Sequence, residues 1–127
     1  MKRKHQFTLL LSLFFLFSCG DKEPTFADIT VKDSDNQVVP GVRVIIYGSS
    51  TETPNKDGDV VLRDTLTTDT FGVASFDFTE NFKLGQAGFA VLDIAAEVTD
   101  ANSNVLKGTG IIKIVEEEVN KEVVYIQ

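Results

Sequence analysis

The chain contains few of the side chains on which most catalytic and metal sites depend. It has one cysteine, Cys19, one histidine, His5, and no tryptophan among its 127 residues. A single cysteine cannot close an internal disulfide. Because no histidine or second thiol follows Cys19, that part of the chain cannot build Ser-His-Asp or Cys-His catalytic groups, or zinc sites of the usual kind. We therefore predict a protein that is not an enzyme and holds no metal or cofactor.

The first eighteen residues have the composition of a targeting segment. Lys2, Arg3 and Lys4 precede an apolar run of eleven residues, FTLLLSLFFLF, at positions 7–17. Such a run suits a signal peptide and is well short of the roughly 20 residues that span a bilayer. A buried N-terminal helix, the alternative, would need polar residues along one side. We predict that residues 1–18 are a cleavable signal peptide.

The residues that follow the apolar run carry a resemblance to a known class. Leu16, Ser18 and Cys19 resemble the lipobox of bacterial lipoproteins, and the run Ser-Cys-Gly-Asp is similar to lipoproteins of the Bacteroidota. The resemblance implies that Cys19 becomes the acylated first residue, carrying palmitate-type chains. At about 0.8 kcal/mol per buried methylene, two or three chains anchor a protein stably. It also implies an outer-membrane location, on the cell surface or on the periplasmic face.

Charge limits the partners of the mature chain. Cleavage before Cys19 would remove three of the twelve basic residues and none of the nineteen acidic ones, which leaves a net charge of 9 − 19 = −10. Such a surface repels nucleic acid and anionic head groups, so we expect no nucleic-acid partner. Residues 19–25 (CGDKEPT) form a short polar tether. Asp21 and Glu23 in it resemble a surface-export signal, and a plain solvated linker explains them equally well.

From Phe26 onward the apolar residues recur with the period of two that is typical of β-strands. Polar turn clusters separate the apolar stretches, and no stretch is long enough for an independent helix. The expected strands are Ala27–Lys32, Val42–Tyr47, Val60–Arg63, Val73–Phe78, Leu92–Val98, Gly108–Val115 and Glu122–Ile126. Seven short strands at this spacing predict an all-β sandwich over residues 26–127.

Two stretches resemble prealbumin-like and carboxypeptidase-regulatory-like domains. The first is DNQVVPGVRV at positions 35–44, and the second is TDTFGVASF at positions 68–76. In the second, we expect Asp69 to cap a turn, Gly72 to adopt a positive φ and Phe76 to enter the core. The resemblance implies a single seven-stranded immunoglobulin-like (prealbumin-like) β-sandwich. It implies no hydrolase activity, because the histidines and basic C-terminal motif of the transthyretin-like hydrolases are missing.

The acidic and aromatic residues of the domain could form three kinds of site: a calcium site, a carboxylate pair or a sugar-stacking surface. Calcium could bind Asp33, Asp35 and Asn36, or Asp57, Asp59 and Asp64, but neither group has the spacing of a calcium loop. Turn formation explains the same residues. Paired carboxylates could support glycoside hydrolysis, and Tyr47 with Tyr125 could stack on a sugar. Nothing in the sequence favours either. The run Glu116–Glu118 fits a solvated turn.

Two functions follow from these features. The leading interpretation is a lipid-anchored, non-enzymatic β-sandwich that binds or scaffolds an unknown protein or glycan partner. The loops Gly48–Asp59 and Thr79–Gly88 are the expected contact regions, since loops on a rigid sandwich carry binding. The alternative is a structural assembly subunit, fimbria-like or part of an envelope complex, that docks through an edge strand.

Overall fold

The structure, a computed structural model, describes Gly20 and residues 23–48, 62–80 and 89–127. Within these ranges the chain forms seven β-strands and no helix, and so contains no helix able to cross a membrane. The strands are β1 Phe26–Lys32, β2 Arg43–Tyr47, β3 Arg63–Thr67, β4 Val73–Asp77, β5 Phe89–Thr99, β6 Val105–Val115 and β7 Val119–Tyr125. The predicted all-β fold is confirmed. The predicted signal peptide (1–18) and the lipidation residue Cys19 lie outside the described residues.

The strands form two sheets that face each other as a sandwich. Sheet A has the order β4-β1-β7 and sheet B the order β3-β2-β5-β6. All pairings are antiparallel except β1 with β7, which are parallel. On one side β6 approaches β7, and the backbones of Lys107 and Gln127 exchange hydrogen bonds of 3.1 and 3.2 Å. Gly108 permits this approach, because a Cβ there would collide with the backbone of Tyr125.

The core lies between the sheets and is built from alternate residues of the strands. The predicted inward residues Val44 and Ile46 of β2, and Val42 just before it, are fully buried. Phe76 and Phe78 lie nearly parallel, with ring centroids 6.3 Å apart. Because side chains alternate across a strand, the intervening residues form the outer faces. The buried apolar residues are Ala27, Ile29, Val31, Val42, Val44, Ile46, Ala74, Phe76, Phe78, Leu92, Ile94, Ala96, Ile112, Ile114, Val124 and Ile126.

Strand β3 differs from its prediction. The sequence predicts a strand at Val60–Arg63, whereas the structure begins the strand at Arg63 and ends it at Thr67; Val60 and Val61 lie outside the described residues. All five of its residues are exposed. Leu66 lies opposite the buried Val44, on the inner side of sheet B, yet stays 38% exposed. Sheet A has one strand fewer than sheet B, and β3 is an edge strand of sheet B. Its residues are not buried, so they need not be apolar.

Candidate functional site

The two ends of the sandwich carry different segments of the chain. Strands β1 and β7 run in parallel from Thr25 and the Glu116–Glu118 turn towards Lys32 and Tyr125. We call the end that contains Thr25, the last residue of the predicted tether, the tether end, and the opposite end the distal end. The distal end carries the three turns at residues 33–37, 69–73 and 100–104. Thr25 and these turns are therefore separated by the length of the strands.

The three distal turns share one aspartate-capped geometry. In each, the first and fifth residues are joined by a backbone hydrogen bond, and the fourth residue donates its N–H to the first carbonyl. The aspartate Oδ1 accepts the N–H groups of the third and fifth residues at 2.8–3.0 Å. The fourth residue has a positive φ, as in hairpin loops built on a type I turn. The capping aspartates are Asp33, Asp69 and Asp100, and the positive-φ residues are Asn36 (62°), Gly72 (73°) and Ser103 (65°).

The tip of the second turn exposes an aromatic ring. Phe71 is 74% exposed, and Val38 beside this turn is 46% exposed. Gly72 keeps them close, because a Cβ at that position would lie 2.9 Å from the Cβ of Val38. The carboxylates of Asp33 and Asp69 cap the turns on either side. The distal end thus presents two apolar side chains among acidic turns.

Of the residues proposed as calcium ligands, Asp33, Asn36 and Asp64 make hydrogen bonds within the chain. Oδ1 of Asp33 accepts two backbone N–H groups of its own loop, and the side chain of Asn36 accepts from Lys32 and Tyr125. Asp64 accepts the N–H of Thr65 at 2.8 Å, while Asp57 and Asp59 lie outside the described residues. Among the residues that the structure describes, no three acidic, histidine or cysteine side chains are grouped to hold a metal.

Two carboxylates have shifted pKa values, and both shifts are downward. Hydrogen bonds from the hydroxyl and backbone N–H of Thr79 lower the pKa of Asp77. Backbone and side-chain hydrogen bonds from Asn104, with a smaller contribution from Asn102, lower that of Asp100. Burial opposes both shifts without reversing them. A carboxyl acting as a general acid needs the opposite shift, so these two aspartates are suited to holding turns.

The tether end is held by a hydrogen-bonded network. Thr25 is buried; its N–H donates to Oγ1 of Thr79, and its own Oγ1 accepts the N–H of Glu117 at 2.8 Å. Asn120 is 8% exposed and binds four backbone groups. Its Nδ2 donates to the carbonyls of Phe26, Val115 and Glu118 at 3.1–3.2 Å, and its Oδ1 accepts the N–H of Val115. The chain therefore enters the domain at a fixed point.

The remaining sequence-predicted positions are not brought together. Tyr47 is half-buried on the outer face of sheet B, and Tyr125 is 54% exposed on the outer face of sheet A, so the two rings do not share a sugar platform. Most of the predicted contact loops Gly48–Asp59 and Thr79–Gly88 lies outside the described residues. The described residues that flank both loops are at the tether end. The predicted turn at Glu116–Glu118 lies there too, with a φ of 62° at Glu117.

Two polar residues with structural roles carry no recognisable sequence signal. Asn120 ties together three chain segments, although one asparagine near the start of a strand is unremarkable in sequence. Thr68 is 5% exposed; its hydroxyl donates to the carbonyl of Val39 and accepts the N–H of Val42. Both partners of Thr68, and the Phe26 partner of Asn120, are distant in sequence, so periodicity cannot identify them.

Comparison with known proteins gives no family assignment. No protein-family model matches the chain, and no curated protein matches it significantly.

Proposed function

We propose that this protein is a lipid-anchored, non-enzymatic binding module of the cell envelope that presents its distal end to a protein partner. The observation that carries the proposal is the placement of Thr25 and the three aspartate-capped turns at opposite ends of the sandwich. An acylated Cys19 would hold the tether end at the membrane. The six residues of the tether, 20–25, reach at most about 20 Å.

The geometry supports the distal end as the contact surface. Strand β5 contains eleven residues, which at about 3.4 Å per residue corresponds to roughly 35 Å. The distal turns would therefore stand well away from the bilayer. Exposed Phe71 gives this end an apolar anchor of the kind that dominates protein interfaces, and the capping hydrogen bonds hold it on a rigid loop. The acidic surroundings favour a partner with basic residues around an apolar pocket.

The resemblance to prealbumin-like domains remains part of this proposal. Its support is local: Asp69 caps the turn, Gly72 has a φ of 73° and Phe76 is 1% exposed, as that resemblance implies. These three residues explain the hairpin without specifying a ligand, because one fold serves many functions.

Site-specific photo-crosslinking in intact cells tests the proposed contact surface. A benzophenone amino acid would replace Phe71 at the distal end or, as a matched control, Val119, which is 52% exposed at the tether end. We expect protein adducts from position 71 and none from position 119. Adducts from position 119 alone, or from neither position, would contradict the proposal. Protease treatment of the same cells before and after lysis distinguishes the cell surface from the periplasm.

The assembly-subunit alternative has one observation in its favour, strand β3. Along β3, every second residue bonds to β2 through its backbone. The N–H and C=O groups of the residues between them, Arg63, Thr65 and Thr67, therefore point away from β2. Asp64 occupies the N–H of Thr65, which reduces the edge available for strand addition. If β3 mediates polymerisation, cells should contain ladders of this protein, and Thr67→Pro should remove them. Wild-type cells without ladders would rule this alternative out.

A further inference from the structure

The basic residues that the structure describes are concentrated on one surface, the outer face of sheet B. Of the six lysine and arginine residues in the described ranges, four lie on this face, together with only two of the fifteen acidic residues. The basic residues are Arg43, Arg63, Lys107 and Lys113, and the acidic ones are Asp93 and Glu97. Both ends of the domain carry acidic turns. The outer face of sheet B therefore differs from the two ends in carrying charges of both signs, which is a condition for pairing with opposite charges on a second copy.

The centre of the same face is apolar. Ile45 and Ala95 are strand partners in the middle of the sheet and are half-buried. Towards the tether end, Val91 is 57% exposed and Ile111 60% exposed. An apolar centre flanked by charged residues is the usual anatomy of a protein interface.

We propose that the outer face of sheet B is a self-association surface, on which two copies pair with parallel orientation about a two-fold axis. The parallel orientation rests on the proposed function, since two copies anchored in one membrane place their tether ends side by side. Such an axis sets β2 against β5 of the second copy and β3 against β6, at matching heights.

This arrangement is self-complementary in the described residues. Arg43 and Glu97 are strand partners within one chain, so the axis places Arg43 against Glu97 of the second copy, and Glu97 against its Arg43. Ile45 meets Ala95, and Tyr47 meets Asp93, because these pairs also share a register position. No like charges meet in these rows. Packed sheets are rotated by about 30° relative to each other. Because Arg43 lies only two residues along the strand from the central pair, Ile45 and Ala95, it stays within reach of Glu97 of the second copy.

Two competing arrangements bring like charges together. On the outer face of sheet A, β1 is the central strand. A parallel two-fold axis over β1 would set Asp28 against Asp28 of the second copy and Lys32 against its Lys32. An axis between β1 and β7 would instead set Asp28 against Lys121 of the second copy, an arrangement that the Lys121→Glu variant tests. On sheet B, an antiparallel axis centred on Ala95 would set Glu97 against Asp93 of the second copy. Juxtaposed like charges suppress such pairings.

The size of the face predicts a modest affinity. Eighteen residues of the four strands point outward on sheet B, slightly fewer than the roughly 20–30 residues per side of a standard stable interface. We therefore expect reversible pairing that is favoured by confinement to a membrane.

Single charge reversals and their mixture test the proposal. The full chain, purified in detergent with donor or acceptor fluorophores fused after Gln127, would be titrated for energy transfer. Arg43→Glu alone places two glutamates at each contact, and Glu97→Arg alone places two arginines there, so each should weaken self-association at least about tenfold. Mixed together, the two variants present opposite charges at both contacts and should associate as strongly as the wild type.

Several outcomes are decisive. Lys121→Glu on the outer face of sheet A is the matched control and should leave association unchanged. The Arg43–Glu97 pair is exposed on the surface, where ion pairs contribute little to stability, so both variants should fold, as thermal unfolding would verify. A wild type that shows no association, or a mixture no stronger than its components, would overturn the proposal. Palmitate incorporation at Cys19 is measured separately, so failure of the anchor and failure of the dimer are distinguishable.

Discussion

The side-chain amide of Asn120 donates to the carbonyl oxygen of Phe26 at 3.1 Å and so joins the beginnings of the first and last strands. The two residues are 94 positions apart in sequence. Because β1 and β7 are parallel, no tight turn can connect them, and this contact fixes their relative position at the tether end. Asn120 also binds the N–H and carbonyl of Val115 and so closes the turn between β6 and β7.

Replacement of Asn120 by alanine should strongly destabilise the fold. The change removes the acceptor of the Val115 N–H and one donor from each of the carbonyls of Phe26, Val115 and Glu118, although the Glu118 carbonyl keeps the N–H of Phe26. Buried groups left unsatisfied cost about 1–3 kcal/mol each when water cannot replace the bond. Allowing for partial hydration, we expect a loss of about 2–4 kcal/mol in the free energy of unfolding, measured by urea titration. Asn102→Ala, at an exposed turn position, is the control and should change it by less than about 0.5 kcal/mol. If Asn120→Ala lost no more free energy of unfolding than the control Asn102→Ala, the Asn120 network would be dispensable.

Alanine substitutions at two glycines with the same φ distinguish the stability cost of backbone strain from that of steric collision. Gly41 and Gly72 both have a φ of 73°. A Cβ at Gly41 has no atom within 4 Å, whereas one at Gly72 would meet Val38 at 2.9 Å and the backbone of Val39 at 3.0 Å. Gly41→Ala should cost about 1–2 kcal/mol from the left-handed conformation alone, and Gly72→Ala about 3 kcal/mol or more. Urea titration of both variants measures the difference. An identical cost would mean that Val38 moves aside freely.

Acid should weaken the contribution of Asp100. Its pKa is lowered in the folded protein, chiefly by hydrogen bonds from Asn104, so its charged form stabilises the fold above the ordinary aspartate value of about 3.9. That contribution disappears as the pH falls through the folded-state pKa. Asp100→Asn keeps an acceptor oxygen without the charge. The urea midpoint of this variant should lie below that of the wild type at neutral pH, and the gap should narrow as the pH falls below about 3.9 and close below the lowered folded-state pKa of Asp100. A constant gap across this range would exclude the charge as the cause.

Phe71 should contribute to binding with little effect on stability, whereas Phe76 should contribute strongly to stability. Phe71 is 74% exposed and Phe76 is 1% exposed. Phe71→Ser should change the free energy of unfolding by less than about 0.5 kcal/mol, while Phe76→Ala should cost about 3–5 kcal/mol. If the distal end is the contact surface, crosslinks from a benzophenone residue placed beside it at Val38 should be lost in the Phe71→Ser variant. Undiminished crosslinking would remove Phe71 from the contact.

Local chemistry made much of this fold predictable from sequence. The turns at Asp33, Asp69 and Asp100 depend on residues within five positions, so each aspartate indicates its own turn. The buried faces of β1, β2, β4 and β5 follow from alternation, because one face of each is in the core. The positive φ of Gly72 was likewise predictable.

The features that sequence reasoning missed depend on tertiary context. Strand β3 is exposed on both faces, so it has no apolar alternation, whereas the apolar residues before it predict a strand; Val60 and Val61 among them lie outside the described residues. The role of Thr68, and the bond from Asn120 to Phe26, arise from backbone groups far away in the chain. The concentration of basic residues on sheet B appears only when the register brings β2, β3, β5 and β6 together.

The proposed anchoring depends on acylation of Cys19, which uptake of labelled palmitate tests most directly. Cells producing the wild type or Cys19→Ala would be grown with labelled palmitate and separated into membrane and soluble fractions. We expect the wild type to take up label and stay with the membranes, and Cys19→Ala to take up none and be released into the soluble fraction. A wild type without label, or a Cys19→Ala variant that remains membrane-bound, would contradict the proposed anchoring.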